Sequence, residues 1–278
     1  MKFLSPAKVN LHLEILGRRP DGYHEIQTLM HRVDLFDEGE ITPGGSGIRL
    51  TVEGEEIPGG TENLACRAAR IFSAQAGLRG DLEIRLKKRI PVGAGLGGGS
   101  SNAASVLMEL NELLKVGWER DRLMAIGAKL GADVPFFIFQ KPALARGVGE
   151  KLTPVSLPEP LWFLLLVPPW RISTAWAYEA YDRLAGGKTD PLRIRDSYTH
   201  FAEILPVLKN DLELAALANY PEIGQMKEAL WAGGAQGALM TGSGPVVFGL
   251  FPSQKEAEQT EKIIPLLPGW KTILCRGI

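Results

Sequence analysis

One short stretch of the chain combines residue types that can bind a phosphate group. Residues 91–101 read PVGAGLGGGSS and contain five glycines, which lack a Cβ and let backbone approach a ligand closely. The stretch ends in Ser100, Ser101 and Asn102, which are good N-cap residues, and apolar residues at helical spacing begin at Ala103. A flexible surface linker is the alternative, but a strand and a helix are predicted on either side. Because a helix N-terminus offers free N–H groups and a positive dipole end, the stretch predicts a phosphate-binding loop.

The common nucleotide-binding motifs do not account for this loop. Gly93–Gly98 formally matches the dinucleotide fingerprint G-x-G-x-x-G. However, the preceding strand alternates apolar and charged residues, whereas a central parallel strand is apolar throughout. Pro91 separates that strand from the glycines, and the acidic residues Glu119 and Asp121, about 20 residues on, begin a predicted helix rather than end a strand. No Lys follows the glycines as in a Walker motif, and the protein-kinase signals are absent, so another scheme is expected.

A second set of polar side chains lies on a predicted strand near the N-terminus. Residues 7–15 alternate, and the even positions carry Lys8, Asn10, His12 and Glu14. A period of two places these side chains on one face of the strand. A solvent-exposed face is the default explanation, and a functional face is the alternative. After a turn at Pro20–Gly22, Tyr23 and His24 could line a pocket or decorate a hairpin.

The pattern of the remaining chain predicts a mixed fold. Helices are expected near residues 63–76, 103–114, 122–130, 174–184, 196–218 with breaks, 221–232 and 254–264, and strands near 47–53, 82–87, 162–167, 237–240, 246–251 and 271–274. These elements do not alternate as regular β-α units, so an α+β fold is expected. Prolines between 154 and 160 predict an N-terminal domain of residues 1–155 and a C-terminal α+β domain of residues 156–278.

The composition excludes several classes of partner. A formal net charge of −1 gives no general attraction to nucleic acid or to an anionic membrane. The most apolar segment, residues 161–167, is too short to span a bilayer, and the N-terminus lacks the apolar run of a signal peptide. Cys66 and Cys275 have neither metal-binding nor redox spacing. We therefore expect a cytoplasmic protein with a small-molecule partner and no nucleic-acid or membrane partner, while the oligomeric state is not predicted.

Five motifs resemble those of a known family. They are SPAKVNLHL at 5–13, DGYHE at 21–25, PVGAGLGGGSSNAA at 91–104, LGADVPFF at 130–137 and TGSGPVVF at 241–248. Together they are similar to the GHMP kinase superfamily over nearly the whole chain, most weakly between residues 186 and 221. The first, second and fourth motifs resemble more narrowly the members of the non-mevalonate isoprenoid pathway that act on a methylerythritol carrying cytidine diphosphate.

The resemblance implies ATP-dependent phosphorylation of the 2-hydroxyl of that substrate. It also implies a two-domain α+β fold with the active site in the interdomain cleft. The family's catalytic pair falls on Lys8 and Asp133. Asp133 would accept the hydroxyl proton, while Lys8 would keep the carboxylate charged and polarise the hydroxyl, which suits phosphoryl transfer. The alternative for Asp133 is a turn or N-cap aspartate before Pro135.

The resemblance assigns the ligand contacts residue by residue. The residues implied to contact ATP are Asn63 near the adenine, Lys88 near the phosphates, and the loop residues Pro91, Val92, Gly93, Ala94, Gly95, Leu96, Gly97, Gly98, Gly99, Ser100 and Ser101. The residues implied to contact the substrate are Asn10 and Thr174 at the methylerythritol end and Tyr23, His24 and Tyr178 at the cytidine end. Trp176 is an alternative to Tyr178, and ordinary helix packing explains either ring.

The metal ligands and the rival functions stay open at this point. Mg²⁺ is expected to accompany ATP, and Ser100 or Ser101 could reach it, but no matching Glu is evident. Thr241–Gly244 resembles the third superfamily motif, and a tight hairpin explains it equally well. One rival is another GHMP kinase acting on homoserine, mevalonate or a sugar, and Tyr23-His24 argue against it because those substrates carry no base. The other is a non-catalytic ligand sensor, which needs no Lys8–Asp133 pair.

Overall fold

The structure, a computed structural model, describes residues 1–54, 60–78, 81–184 and 191–278. The described strands are β1 (Lys2–Arg18), β2 (His24–Pro43), β3 (Ile48–Glu53), β4 (Leu82–Lys87), β5 (Ala143–Gly147), β6 (Lys151–Pro154), β7 (Trp162–Val167), β8 (Lys209–Asn210), β9 (Gly237–Met240), β10 (Val247–Phe251) and β11 (Lys271–Arg276). The described α-helices are α1 (Leu64–Ala76), α2 (Gly98–Leu113), α3 (Arg120–Ala128), α4 (Val134–Phe139), α5 (Thr174–Leu184), α6 (Asp211–Asn219), α7 (Glu222–Ala232) and α8 (Gln254–Ile263). This mixture confirms the predicted α+β class.

The chain divides into two compact units whose segments interleave in sequence. The first unit comprises Met1–Ala7, Leu35–Val92 and Gly97–Gln140, and the second comprises Lys8–Asp34, Gly93–Leu96 and Lys141–Ile278. β1 and β2, with 17 and 20 residues, are long enough to contribute to both units. These units are defined by contacts in space and each combines several segments of the chain. The predicted domain boundary near residue 155 is a single point in the sequence, and it stays a prediction.

The first unit packs helices beside the edge of a sheet. β4 pairs in parallel with β3 and antiparallel with the Glu38–Pro43 end of β2. The apolar positions of β4, Leu82, Ile84 and Leu86, are buried as the alternating sequence predicts. α2 packs against both α1 and α4.

Helix α2 begins five residues before the predicted start at Ala103. Gly97 is its N-cap, with a left-handed φ of 71°, and Gly98 and Gly99 are already helical. The prediction that a serine or Asn102 caps this helix was therefore wrong. Glycine is a poor helix former, but burial of α2 against α1 and α4 compensates, and the positive φ at the cap requires glycine. The short apolar helix α4, residues VPFFIF, was not predicted and is mostly buried.

The second unit contains an antiparallel sheet in the order β11-β7-β10-β9. In the same unit β1 pairs in parallel with β8 at His12–Lys209, and β2 pairs with β5 at Ile26–Gly147. Helices α5 to α8 contribute to its apolar core together with β7 and β10. Among the described residues, no helix is long and apolar enough to cross a membrane.

Candidate active site

The polar face of β1 is buried, which excludes the solvent-face explanation. Its side chains are at most 4% exposed, and they are Lys8, Asn10, His12 and Glu14. Lys8 Nζ donates to Asn10 Oδ1, and Asn10 Nδ2 donates to Thr28 Oγ1 at 2.8 Å. The Asn10 backbone N–H donates to Thr241 Oγ1 at 2.9 Å. These bonds hold the amide of Asn10 with its oxygen toward the ammonium group of Lys8.

The turn at Thr241–Gly244 connects β9 to β10 and also lies against Lys8. A Cβ added to Gly242 would stand 3.2 Å from both Lys8 Nζ and Asn10 Oδ1. A Cβ added to Gly95 would stand 2.2 Å from the carbonyl oxygen of Thr241. The backbone N–H of Lys8 donates to the Leu96 carbonyl at 3.0 Å. The turn is thus a hairpin, and it also brings residues 93–96 of the glycine loop next to the Lys8–Asn10 pair.

Helix α5 places two predicted substrate residues on one side. Thr174 Oγ1 lies 3.1 Å from Ser243 Oγ in the same turn. Tyr178 follows four residues later, on the same helix face, and its ring stacks on His24 with centroids 4.8 Å apart and planes at 25°. The ring of Trp176 instead meets Tyr220 edge-on at 5.3 Å. Of the two candidate rings, Tyr178 is therefore the one beside His24.

The remaining polar side chains of β1 anchor its neighbours. His12 Nδ1 lies 2.9 Å from the Val207 carbonyl oxygen. Glu14 accepts hydrogen bonds from the ammonium group of Lys209 and from the N–H of Leu192. Burial acts to raise the pKa of Glu14, but these hydrogen bonds and the charge of Lys209 outweigh it, and the pKa lies below its ordinary value. His12 and Glu14 thus have structural partners that account for their burial.

Asp133 stands at the end of a turn directly before α4. It occupies the N-cap position of that helix, as the turn or N-cap alternative expects, but its side chain makes no capping hydrogen bond, and its catalytic role stays a prediction. The same turn contains Gly131, where an added Cβ would lie 3.7 Å from Ser100 Oγ in the first turn of α2. Ser101 is fully buried, whereas Ser100 is partly exposed. The first unit therefore brings the turn that carries Asp133 close to the N-terminal end of α2.

A buried ion pair that the sequence did not reveal holds both ends of the glycine loop. Asp37 is fully buried; it accepts from Lys88 Nζ and, at 2.8 and 2.9 Å, from the backbone N–H groups of Arg89 and Ile90, which precede the loop. Asn102 on α2, just after the loop, donates to Asp37 at 3.0 Å and accepts from Lys88 at 2.9 Å. This arrangement favours a positioning role for Lys88, and its predicted contact with a phosphate stays a prediction.

We expect Asp37→Asn to lower both stability and affinity for ATP. The amide still accepts from the two N–H groups but leaves the buried ammonium group of Lys88 uncompensated, a loss of about 3–5 kcal/mol. Urea unfolding measures the loss of stability, and the KM for ATP measures the loss of affinity. Glu38→Gln is the matched control, because Glu38 pairs with Arg89 in solvent, where an ion pair contributes about 0–1 kcal/mol. Equal effects of the two substitutions would refute the positioning role.

Two further residues bear on the ATP contacts. Asn63 is the N-cap of α1, and its Oδ1 accepts from the Ala65 N–H at 2.9 Å, so a contact with adenine stays a prediction. Arg171, which the sequence did not suggest, lies beside the loop. A Cβ added to Gly93 would stand 3.1 Å from Arg171 Cδ. Among the described residues, no group of three or more His, Cys, Asp or Glu side chains is placed to hold a metal ion.

Comparison with known proteins gives matches to one family of kinases. Residues 63–141 match the GHMP kinases N terminal domain, and residues 195–265 match the GHMP kinases C terminal domain. A 4-diphosphocytidyl-2-C-methyl-D-erythritol kinase of Geobacter metallireducens is 49% identical over 99% of this chain and 97% of its own. The crystal structure of a 4-(cytidine 5'-diphospho)-2C-methyl-D-erythritol kinase superposes with a TM-score of 0.82 at 37% identity, covering 100% of this chain and 99% of that one. A homoserine kinase of Cytophaga hutchinsonii, 18% identical and covering 100% and 94%, shares the fold with a TM-score of 0.73.

Proposed function

The chain belongs to the GHMP kinases, and from that premise we propose that it transfers the γ-phosphoryl group of ATP to the 2-hydroxyl of 4-diphosphocytidyl-2-C-methyl-D-erythritol. The product is the 2-phosphate, and the reaction belongs to non-mevalonate isoprenoid precursor biosynthesis. The protein is thus a small-molecule kinase. Its substrate carries a cytidine diphosphate group, and its phosphoryl donor is ATP.

The glycine loop is the proposed phosphate site. Glycines 93, 95 and 97 have φ values between 68° and 76°, which non-glycine residues rarely adopt. The first N–H groups of α2 lack partners within the helix, and the helix dipole makes them favourable donors to an anion. Residues 91–101 therefore bind the phosphates of ATP chiefly through backbone groups.

Lys8 and Asp133 are the proposed catalytic residues. Asp133 accepts the proton of the 2-hydroxyl while that oxygen forms a bond to the γ-phosphorus and the bond from phosphorus to the departing ADP oxygen breaks. Lys8 polarises the hydroxyl and stabilises the charge that develops, and its orientation follows from its bond to Asn10. Most of the acceleration in such a reaction comes from positioning and charge stabilisation.

The observation that carries the substrate assignment is the stacked pair of His24 and Tyr178. Flat aromatic faces bind a nucleobase, whereas mevalonate and homoserine offer no ring. Tyr23 is 66% exposed and is available to the same base. Thr174 stands on the Tyr178 face of α5, and Asn10 touches Lys8, so both suit the methylerythritol end.

His24→Ala is expected to raise the KM for the cytidine substrate by about 10- to 100-fold, because the base loses a hydrogen-bonding partner, which costs about 1–3 kcal/mol. The KM for ATP should change by less than about twofold, since that substitution leaves the phosphate loop intact. Initial rates with each substrate varied in turn measure both constants. An effect confined to ATP would refute the cytidine site.

Magnesium accompanies ATP in this proposal. Its ligands would come mainly from phosphate oxygens and water, because no cluster of acidic, His or Cys ligands is present among the described residues. Ser100 is the better placed of the two serines, because Ser101 is buried. We also propose that the enzyme acts in the cytoplasm, a reducing compartment in which thiols such as those of Cys66 and Cys275 persist.

An ADP-release assay tests the proposed function against its rivals. The purified protein is supplied with ATP and, in separate reactions, with the cytidine-diphosphate substrate, mevalonate or homoserine. We expect ADP release to depend on the first compound alone. Turnover of mevalonate or homoserine would identify a different GHMP kinase, and binding without turnover of any of them would identify a ligand sensor.

A further inference from the structure

His24 has a carboxylate partner that the sequence did not suggest. Its Nε2 atom lies 2.8 Å from Oδ1 of Asp182, which is 158 residues away in the chain. The side chain of His24 is 9% exposed and that of Asp182 is 31% exposed, so the contact is only partly open to water. Asp182 follows Tyr178 by four residues on α5, so both lie on one helix face. From that face Tyr178 stacks on the imidazole ring of His24, and Asp182 contacts the edge of the same ring.

This contact decides which nitrogen of His24 carries the proton. A carboxylate only accepts hydrogen bonds, so Nε2 must be the N–H donor. In a neutral imidazole the other nitrogen, Nδ1, then presents a lone pair. Arg18 lies 3.5 Å from Oδ2 of Asp182 and stabilises the charged carboxylate as the acceptor.

We propose that Asp182 is a positioning residue that makes His24 select cytosine over uracil. The inference rests on the proposed function, in which His24 contacts the pyrimidine. Cytosine carries an amino group, a donor, at the ring position where uracil carries a carbonyl oxygen, an acceptor. A lone pair on Nδ1 binds the amino group and repels the carbonyl oxygen. A site built to form one hydrogen bond rejects the analogue that cannot form it.

The experiment compares two substrates that differ only at the base. One substrate is methylerythritol linked to cytidine diphosphate, and the other is methylerythritol linked to uridine diphosphate. Each is assayed at about pH 8, where an ordinary imidazole is neutral. Asp182→Ala removes the acceptor and lets either nitrogen carry the proton. We expect the ratio of kcat/KM for the cytidine over the uridine substrate to fall by about tenfold or more, the scale of one unsatisfied hydrogen-bonding group.

Two control variants separate this role from a merely structural one. Asp182→Glu keeps a carboxylate and is expected to retain most of the selectivity. Glu179→Gln removes an exposed carboxylate from the same helix and should leave the ratio unchanged. If Asp182→Ala lowers kcat/KM equally for both substrates, Asp182 does not set the specificity. A wild-type protein that turns over neither substrate would instead contradict the proposed function itself.

A spectroscopic readout needs no substrate and no substitution of Asp182. In ¹⁵N-histidine spectra of the wild-type protein near pH 8, His24 should show a protonated Nε2 and a bare Nδ1, with its signals assigned by their loss in His24→Ala. The opposite tautomer, or a mixture of the two, would overturn the inference.

Discussion

Asp133→Asn is expected to lower kcat by about 10²–10⁴, the usual contribution of a general base, while the affinity for ATP stays unchanged. Asparagine has nearly the same size and shape as aspartate but cannot accept the proton of the 2-hydroxyl. Because Asp133 makes no capping bond to α4, the substitution should leave that helix in place. Single-turnover rates and the dissociation constant of ATP measure the two quantities separately.

The matched control for this prediction is Asp121→Asn. Asp121 is also an acidic residue of the first unit and lies exposed in the first turn of α3. Loss of its charge should lower the stability of the helix by about 0.3–1 kcal/mol and should not change kcat. A near-normal kcat in Asp133→Asn would show that another group accepts the proton.

Gly95→Ala is expected to abolish measurable ATP binding. Gly95 has a φ of 76°, and an added Cβ would lie 2.2 Å from the carbonyl oxygen of Thr241, which is backbone and cannot rotate away. The left-handed conformation alone costs alanine about 1–3 kcal/mol, and the clash must displace the loop or the turn. Each 1.4 kcal/mol is about a tenfold loss of affinity. Titration calorimetry with ATP and a thermal unfolding curve report binding and stability in the same sample.

Gly224→Ala provides the control for a glycine in the same unit. Gly224 lies within α7, and an added Cβ would meet Leu217 Cδ2 at an ordinary 3.5 Å. Alanine is the better helix former by about 0.5–1 kcal/mol, so this variant should be at least as stable as the wild type and should bind ATP normally. Normal ATP affinity in Gly95→Ala would remove residues 93–96 from the nucleotide site.

The elements around the site could largely be predicted from sequence because their signals are local. The alternation of Leu82–Lys87 indicated β4, and the run of glycines indicated a loop, in which the structure gives Gly93, Gly95 and Gly97 a positive φ. The start of α2 was missed because local propensity favoured a serine cap, whereas tertiary packing allows Gly98 and Gly99 to be helical. Packing also decided that the polar face of β1 points inward, which a two-residue period cannot reveal.

The two positioning carboxylates could not be predicted because their partners are distant in sequence. Asp37 bonds to Lys88 and Asn102, 51 and 65 residues away, and Asp182 bonds to His24 across 158 residues. A lone aspartate in a strand or on an exposed helix looks like an ordinary solvated residue. Only the fold shows that one of them is fully buried and that the other faces an imidazole.

The most direct test of the proposed activity is the proton-coupled ³¹P NMR spectrum of the product formed from ATP and the cytidine-diphosphate substrate. The 2-carbon of this substrate bears a methyl group and no hydrogen, so a phosphate on its hydroxyl has no neighbouring carbon-bound hydrogen to couple with. We predict a new phosphomonoester resonance without such coupling, in step with the release of ADP. A phosphomonoester resonance split by carbon-bound hydrogens, or release of inorganic phosphate alone, would contradict the assignment.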